Sequence, residues 1–353
     1  MNNSIFKIVK HPTPGGEVTW ITLGNASGAT VCLSSLGAGI VAVNVPDSKG
    51  RMADVALGYA EPADYMADGP CLGKCPGRYA NRIARGHLVV DGVLHQLAVN
   101  CGPNALHGGP GGFQNHIWNV VETASDHVIF QYTSPDGEEG YPGELTVRIT
   151  YSWSDDNRLR LLIEAVTDRA TVVNITNHAY WNLTGHGAGS VLGHILTLFA
   201  SRWLPTDDTL VPTGELAPVA GTPMDFTAAK AIGRDILADF VPLKYGKGYD
   251  HCWALDGYDG RGTVCPAARL SDPVSGRVLE VLTSQPGVQL YTGNWMNGCP
   301  GGKDGATYHD YDCVAIECQA FPDSPNRPEF PSAELRPGQV YRREIEYRFS
   351  VED

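Results

Sequence analysis

The sequence predicts an all-β protein, built as a single large antiparallel β-sandwich. Three observations predict it: short runs with period-two alternation dominate the chain, tight turns join several of them in antiparallel pairs, and only one segment carries a helical pattern. Glycine and proline number 41 and 24 among 353 residues, an abundance that suits many turns. Hydrophobic residues at 42% against 18% charged residues supply a sizeable core and exclude a disordered chain.

Along the chain, Thr19 to Leu23 is the first short, turn-bounded strand. His87 to Val90 runs into an Asp91-Gly92 turn and returns through Val93 to His95, the two-residue loop of a hairpin. A strand at His127 to Tyr132 follows. Thr146 to Trp153 alternates polar with apolar residues, and beyond Ser154-Asp155-Asp156-Asn157 the run Arg158 to Val166 completes a second hairpin. Thr171 to Thr176 and His194 to Phe199 are further strands. Asp225 to Phe240 predicts a helix, interrupted by Gly233. Ala268 to Leu282 predicts a third hairpin with a longer loop, and Cys313 to Cys318 and Arg342 to Ser350 close the series. Strands do not alternate with long amphipathic helices, which argues against a parallel α/β sheet. No linker or internal repeat divides the chain, so residues 1–353 are expected to form one domain.

Twenty-six basic residues against 39 acidic ones leave a formal charge of −13. That field repels a phosphate polyanion, so nucleic acid is not an expected partner. Met1 to Lys7 lack the apolar run of a secretory signal, and no later run reaches the roughly 18 apolar residues of a membrane span. No membrane partner is expected, and the chain reads as cytoplasmic. Nine cysteines, an odd number without a C-x-x-C pair, fit reduced and mostly buried thiols. Cys71/Cys75 with Cys313/Cys318 is the one spacing that a metal reading could use. Nothing in the sequence identifies an oligomer interface.

Chemistry is sought where polar groups gather in turn-rich segments. Gly77-Arg78-Tyr79-Ala80-Asn81-Arg82-Ile83 offers two guanidinium forks and an amide, suited to hydroxyls or carboxylates, or equally to a solvated loop. Leu106-His107-Gly108-Gly109 sets one imidazole in a run of glycines where backbone can approach a ligand; a plain flexible turn has the same composition. Asn177-His178-Ala179-Tyr180-Trp181-Asn182-Leu183 combines imidazole, amides and two aromatics. That mixture suits a sugar, or a buried core. Gly248-Tyr249-Asp250-His251 places an acid and a histidine beside glycine. In Cys313-Val-Ala-Ile-Glu317-Cys-Gln319 a carboxylate sits inside an apolar strand. Burial there would raise its pKa toward the range of a general base, while alternation alone leaves a solvent-facing Glu317 open. Serine-hydrolase, zinc-peptidase and dinucleotide motifs are missing.

Taken together, GRYANRI at 77–83, LHGG at 106–109, NHAYWNL at 177–183, GYDH at 248–251, QPGVQLYTGN at 285–294 and ECQAFPDSPN at 317–326 closely resemble the aldose 1-epimerase (galactose mutarotase) family. The six motifs stand in the family's order and span most of the chain. The resemblance implies the galactose mutarotase-like supersandwich, with an open cleft across one sheet. It implies Glu317 as catalytic base and His178 as catalytic acid, with Asn81, Arg82, His107, Asp250 and Gln289 as sugar-holding residues and His107 beside the ring oxygen. It implies a small monosaccharide partner, with no metal and no nucleotide cofactor. Two departures from the family pattern stand out: Lys74-Cys75-Pro76 ahead of GRYANRI, and Ala320 where many members carry His.

Anomer exchange fits these residue types. The C1 hydroxyl loses its proton while the ring oxygen gains one, the ring opens to the aldehyde, C1–C2 rotates, and closure reverses the transfers. One base and one acid suffice, so Glu317 raised by an apolar strand and His178 near neutrality meet the need. Arg82 could stabilise developing negative charge and lower the pKa of Glu317. Two alternatives remain: a hexose-phosphate mutarotase served by Arg78, Arg82 and Arg85, and a non-catalytic sugar-binding module of the same fold.

Overall fold

Period-two alternation becomes three large antiparallel sheets in the computed structural model, which describes residues 5–66 and 68–352. The first five strands, Phe6–Thr13 through Met52–Asp54, form a simple meander. A nine-stranded sheet runs in the order Asn119–Thr123, His127–Ser134, Leu145–Trp153, Arg158–Thr167, Tyr341–Val351, Arg277–Thr283, Cys265–Ser271, Ile195–Leu198, Lys230–Ala231. A six-stranded sheet runs Tyr180–Trp181, Val314–Gln319, Gly287–Tyr291, Asp250–Ala254, Arg202–Trp203, Ala217–Pro218.

The hairpins form where local chemistry demands them. Asp91 and Gly92 both take positive φ, 51° and 77°, the left-handed pair that a two-residue turn between right-twisted strands requires. Leu145–Trp153 pairs residue for residue with Arg158–Thr167, and its odd-numbered residues Val147, Ile149 and Tyr151 are buried in the core. Cys265–Ser271 pairs with Arg277–Thr283 across the longer loop.

The core lies between sheets. Val147, Ile149, Leu161 and Ile163 of the large sheet join Trp253, Val288, Leu290, Val314, Ile316 and Cys318 of the six-stranded sheet in one apolar cluster. Burying such side chains contributes about 1.5–3 kcal/mol each, and this pins the register of both sheets. The consequence for function is direct. With the even-numbered residues of Val314–Gln319 turned to the core, Ala315, Glu317 and Gln319 must face the other side.

The expected helix at Asp225–Phe240 does not form. Lys230–Ala231 instead pairs as an edge strand with Ile195–Leu196, and Ile232–Arg234 is a single 3₁₀ turn. Met224, Phe226, Ile232 and Ile236 each pack separately on the core, and the Lys230 ammonium caps the Phe226 ring at 4.1 Å. Gly233 lies against Leu192, where a Cβ would approach to 2.8 Å. Among the described residues the true α-helices are two short ones, Pro62–Met66 and Val241–Gly246. Among the described residues no helix is long and apolar enough to cross a membrane.

Candidate active site

The face of the six-stranded sheet that turns away from the core is the floor of a cleft of about 590 Å³. Strand pairing sets Gln289 opposite Glu317, and Tyr291 opposite both Ala315 and Asp250. Tyr180 pairs with Ala315, so His178, two residues earlier, shares its face. Four chain segments distant in sequence thus contribute Glu317, Tyr291, Asp250 and the His178/Tyr180 pair to one surface. The sequence left Glu317 open between core and solvent. All six residues of its strand are buried, because loops cover the cleft face as the sheets cover the other.

A small ribbon roofs one end. Arg82–Ile83 pairs with Ala105–Leu106, which delivers His107 beside Asn81. The Asn81 amide N–H donates to His107 Nδ1 at 3.1 Å, and the His107 N–H donates to the Asn81 carbonyl at 3.0 Å. Both residues sit at positive φ, 65° and 53°, a conformation that costs free energy in a histidine and clusters at functional sites. The glycines after His107 have a steric cause: a Cβ on Gly108 would lie 1.9 Å from the Gly77 carbonyl. Asp323 ties the ribbon to the sheet, its N–H donating to the Arg82 carbonyl at 2.8 Å and its carboxylate accepting from the Ala84 N–H at 2.9 Å.

The two groups suited to proton transfer lie side by side. His178 Nε2 is 3.5 Å from Glu317 Oε1, with the residues only 5% and 2% exposed. Burial pushes the Glu317 carboxyl well above its ordinary value, the neighbouring Asp250 carboxylate adds to the rise, and Arg82 opposes it. Burial pushes His178 down to about 4, with Asp250 opposing and Lys74 assisting. The expectation of a near-neutral His178 is therefore corrected: desolvation of the charged ring wins. Glu317 Oε2 and His178 Nδ1 have no hydrogen-bond partner. The imidazole of His107, 5.3 Å from that of His178 between ring centroids, is also pushed well down by burial.

The residues expected to hold a sugar are organised around Asp250. Arg82 Nη2 donates to Asp250 Oδ2 at 3.2 Å, and Gln289 Nε2 donates to Oδ1 at 2.7 Å. Gln289 stands behind Asp250, with Gln319 Nε2 behind it at 3.4 Å. Asn81, Arg82, His107, His178, Asp250 and Glu317 all line the cleft. Arg82 keeps Nε without a partner. Arg78 and Arg85 do not join it. Arg78 is 2% exposed and donates to the carbonyls of Ser134, Pro135, Pro142 and Gly143, while Arg85 lines a separate cavity.

Of the aromatic wall, sequence reasoning offered Tyr180 but missed Tyr291 and Trp295. Tyr180 stacks on His178 with ring centroids 4.8 Å apart, and Tyr291 meets His178 edge-on. Tyr291 was recoverable from alternation with Gln289. Trp295, 63% exposed at the rim, has the Lys247 ammonium 4.4 Å from its ring. Trp181, the neighbour of Tyr180, faces the opposite way into the core against Tyr347 and Phe349. The departure at Lys74 also has a role. Its ammonium is buried 3.3 Å from Asp68 and donates to the Tyr65 carbonyl at 2.7 Å. The segment so anchored brackets His178: Gly73 N–H donates to its carbonyl at 2.9 Å and its N–H donates to the Lys74 carbonyl at 2.8 Å.

His107, His178 and Glu317 bring donor atoms within 4.8 Å of one another, a set that could in principle hold a metal. The tautomer opposes it. His107 Nδ1 is occupied by the Asn81 N–H, so the neutral ring carries its proton on Nε2 and presents a donor, not a lone pair. The cysteine set considered above forms no such group among the described residues, and all nine cysteines are free thiols.

Comparison with known proteins points to one family. The family profile described as aldose 1-epimerase matches residues 19–348. The chain is 43% identical to the human galactose mutarotase over 340 residues, covering 96% of each protein. It is 38% identical to the aldose 1-epimerase of Escherichia coli K12 over 335 residues, 94% of this chain and 95% of that one. Among solved structures, the galactose 1-epimerase of Lactobacillus acidophilus superposes with a TM-score of 0.86 at 30% identity, covering 99% of this chain and 100% of the other.

Proposed function

The chain belongs to the aldose 1-epimerase family, and on that premise we propose that Glu317 and His178 carry out its reaction as a base and acid sharing one proton. The enzyme interconverts the α and β anomers of free aldoses such as glucose and galactose. The observation that carries the assignment of roles is the 3.5 Å contact between two buried groups whose proton affinities are driven apart, one up and one down.

In the empty cleft the shared proton rests on Glu317, because burial disfavours both charged forms. Its transfer to His178 yields the carboxylate and imidazolium that ring opening needs. Glu317 then takes the proton of the C1 hydroxyl while His178 protonates the ring oxygen, and C1 becomes the aldehyde carbon. Rotation about C1–C2 presents the other carbonyl face. Closure returns each proton, so the pair ends as it began. Arg82 and the Nε2–H of His107 offer donors to the sugar oxygens, and Asp250, its two oxygens fixed by Arg82 and Gln289, accepts from hydroxyls. Tyr180 and Tyr291 offer apolar faces to the ring carbons.

The phosphosugar alternative loses its support, since Arg78 is spent on backbone carbonyls and Arg85 belongs to another cavity. A cytoplasmic setting, with residues 1–353 acting as one domain, completes the proposal; nine unpaired cysteines support a reducing compartment. Polarimetry of freshly dissolved α-D-glucose, α-D-galactose and glucose 6-phosphate tests it. Accelerated decay with the free sugars is expected, and preference for the phosphate would overturn the reading.

A further inference from the structure

We propose that Cys101 is a covalent modification site through which thiol-reactive electrophiles, peroxide among them, shut the sugar cleft. The proposal rests on the cleft being the sugar site.

Nine free thiols are present, but they are not equivalent. Burial pushes the thiols of Cys32, Cys71, Cys75, Cys252, Cys265, Cys299, Cys313 and Cys318 upward, away from the reactive thiolate. Cys101 and Cys299 are both half-buried and line the cleft, but Cys101 alone of the two lies beside the Arg82 guanidinium. Partial exposure lets a reagent reach it, and an adduct there would meet the guanidinium that faces the sugar. Small polar molecules have a reason to enter here. Glu317, 2% exposed, leaves Oε2 without a partner in the same cleft, and Arg82, 8% exposed, leaves Nε so.

The backbone that carries Cys101 is held in place. Cys101 N–H donates to the Asn104 carbonyl at 3.0 Å, and Asn104 N–H returns a bond to the Cys101 carbonyl at 2.9 Å. The Asn104 side chain is itself fixed, accepting from Arg85 N–H and donating to Thr209 Oγ1, both at 3.0 Å. An adduct on Cys101 therefore projects from a fixed backbone into the cleft beside Arg82, where sugar oxygens would bind.

The chemistry balances with one reagent in each case. With hydrogen peroxide the sulfur attacks one oxygen, the S–O bond forms as O–O breaks, and the departing hydroxide takes a proton to leave as water. Cysteine becomes sulfenic acid and peroxide is reduced. With iodoacetamide a C–S bond replaces C–I, iodide leaves, and the thiol proton passes to solvent.

The test treats the native chain with limiting iodoacetamide at neutral pH, with and without saturating galactose. Labelled peptides are mapped by mass spectrometry and mutarotation is followed by polarimetry. Cys101→Ser and Cys299→Ser variants are each measured against their own untreated rate. We expect Cys101 to be labelled first and the rate to fall in step with labelling. Galactose should slow both severalfold, the Cys101→Ser rate should survive the dose, and the Cys299→Ser rate should not. Peroxide should inactivate in the same pattern, with recovery on adding dithiothreitol. First labelling of another thiol, a full rate with Cys101 labelled, or inactivation of Cys101→Ser at the native speed would each overturn the proposal. Labelling order and sugar protection are read without catalysis, so failure here is distinguishable from absence of mutarotation.

Discussion

The desolvation that sets the proton affinity of His178 also acts on His194, outside the cleft, where it can be measured without interference from catalysis. His194 is 2% exposed, and its Nε2 accepts from the Leu183 N–H at 3.0 Å. Burial pushes it down to about 4 from 6.5, against an opposing pull from Asp272. Between pH 6.5 and about 4 the unfolded imidazole takes up a proton that the folded one refuses. Unfolding then binds protons, so stability is fully present above pH 6.5 and is lost as pH falls through this window. A fall from 6.5 to about 4 corresponds to about 3 kcal/mol. That is a large share of an ordinary stability of about 5–15 kcal/mol. His194→Gln keeps an acceptor for Leu183 and removes the titration. Urea unfolding of both proteins between pH 7 and 4.5 should show the variant losing about 2–3 kcal/mol less than the native chain over that interval. Parallel pH dependences in the two proteins would refute the burial argument, and with it the reason given for a depressed His178.

Further outcomes follow from the same geometry. Arg78→Met strips donors from four loop carbonyls, each worth about 1–3 kcal/mol when orphaned. Urea titration should record a loss above about 4 kcal/mol, while the rate per folded molecule holds; a silent variant would contradict the structural role. Asp250→Asn weakens the anchor of Arg82 and Gln289 and removes a charged acceptor, which should raise KM about ten- to a hundredfold with a smaller change in kcat. A fall in kcat alone would contradict a holding role. Because burial carries His178 to about 4, the acid limb of the kcat/KM profile should lie near pH 4, where the pair gains a second proton. A limb near 6.5 would mean a solvated histidine.

How much of this was legible in the sequence depended on how local its causes are. The Asp91-Gly92 hairpin and the Thr146–Trp153 hairpin follow from turn chemistry and alternation within a dozen residues, and both stand where expected. The face taken by Glu317 does not follow. Alternation fixes which residues share its side, but both sides of its strand are covered, and the cover comes from loops at 81–107 and 295–300. Arg78 and Arg82, four residues apart in one run, part company because a loop some sixty residues on claims the first. The apolar spacing of Asp225–Phe240 imitated a helix; its residues answer instead to separate points on the core and to an edge strand. The proton affinity of His178 was misjudged for the same reason, since burial is a property of the assembled sheet.

Polarimetry of α-D-galactose with the native chain and with Glu317→Gln tests the central claim most directly. The variant keeps the shape and hydrogen-bonding capacity of the side chain but can neither hold nor release the shared proton. The native chain should speed the decay to the same final rotation, while Glu317→Gln should leave the spontaneous rate unchanged and still bind galactose by calorimetry. Full activity in Glu317→Gln would contradict the assignment of the Glu317–His178 pair as the proton-transfer machinery.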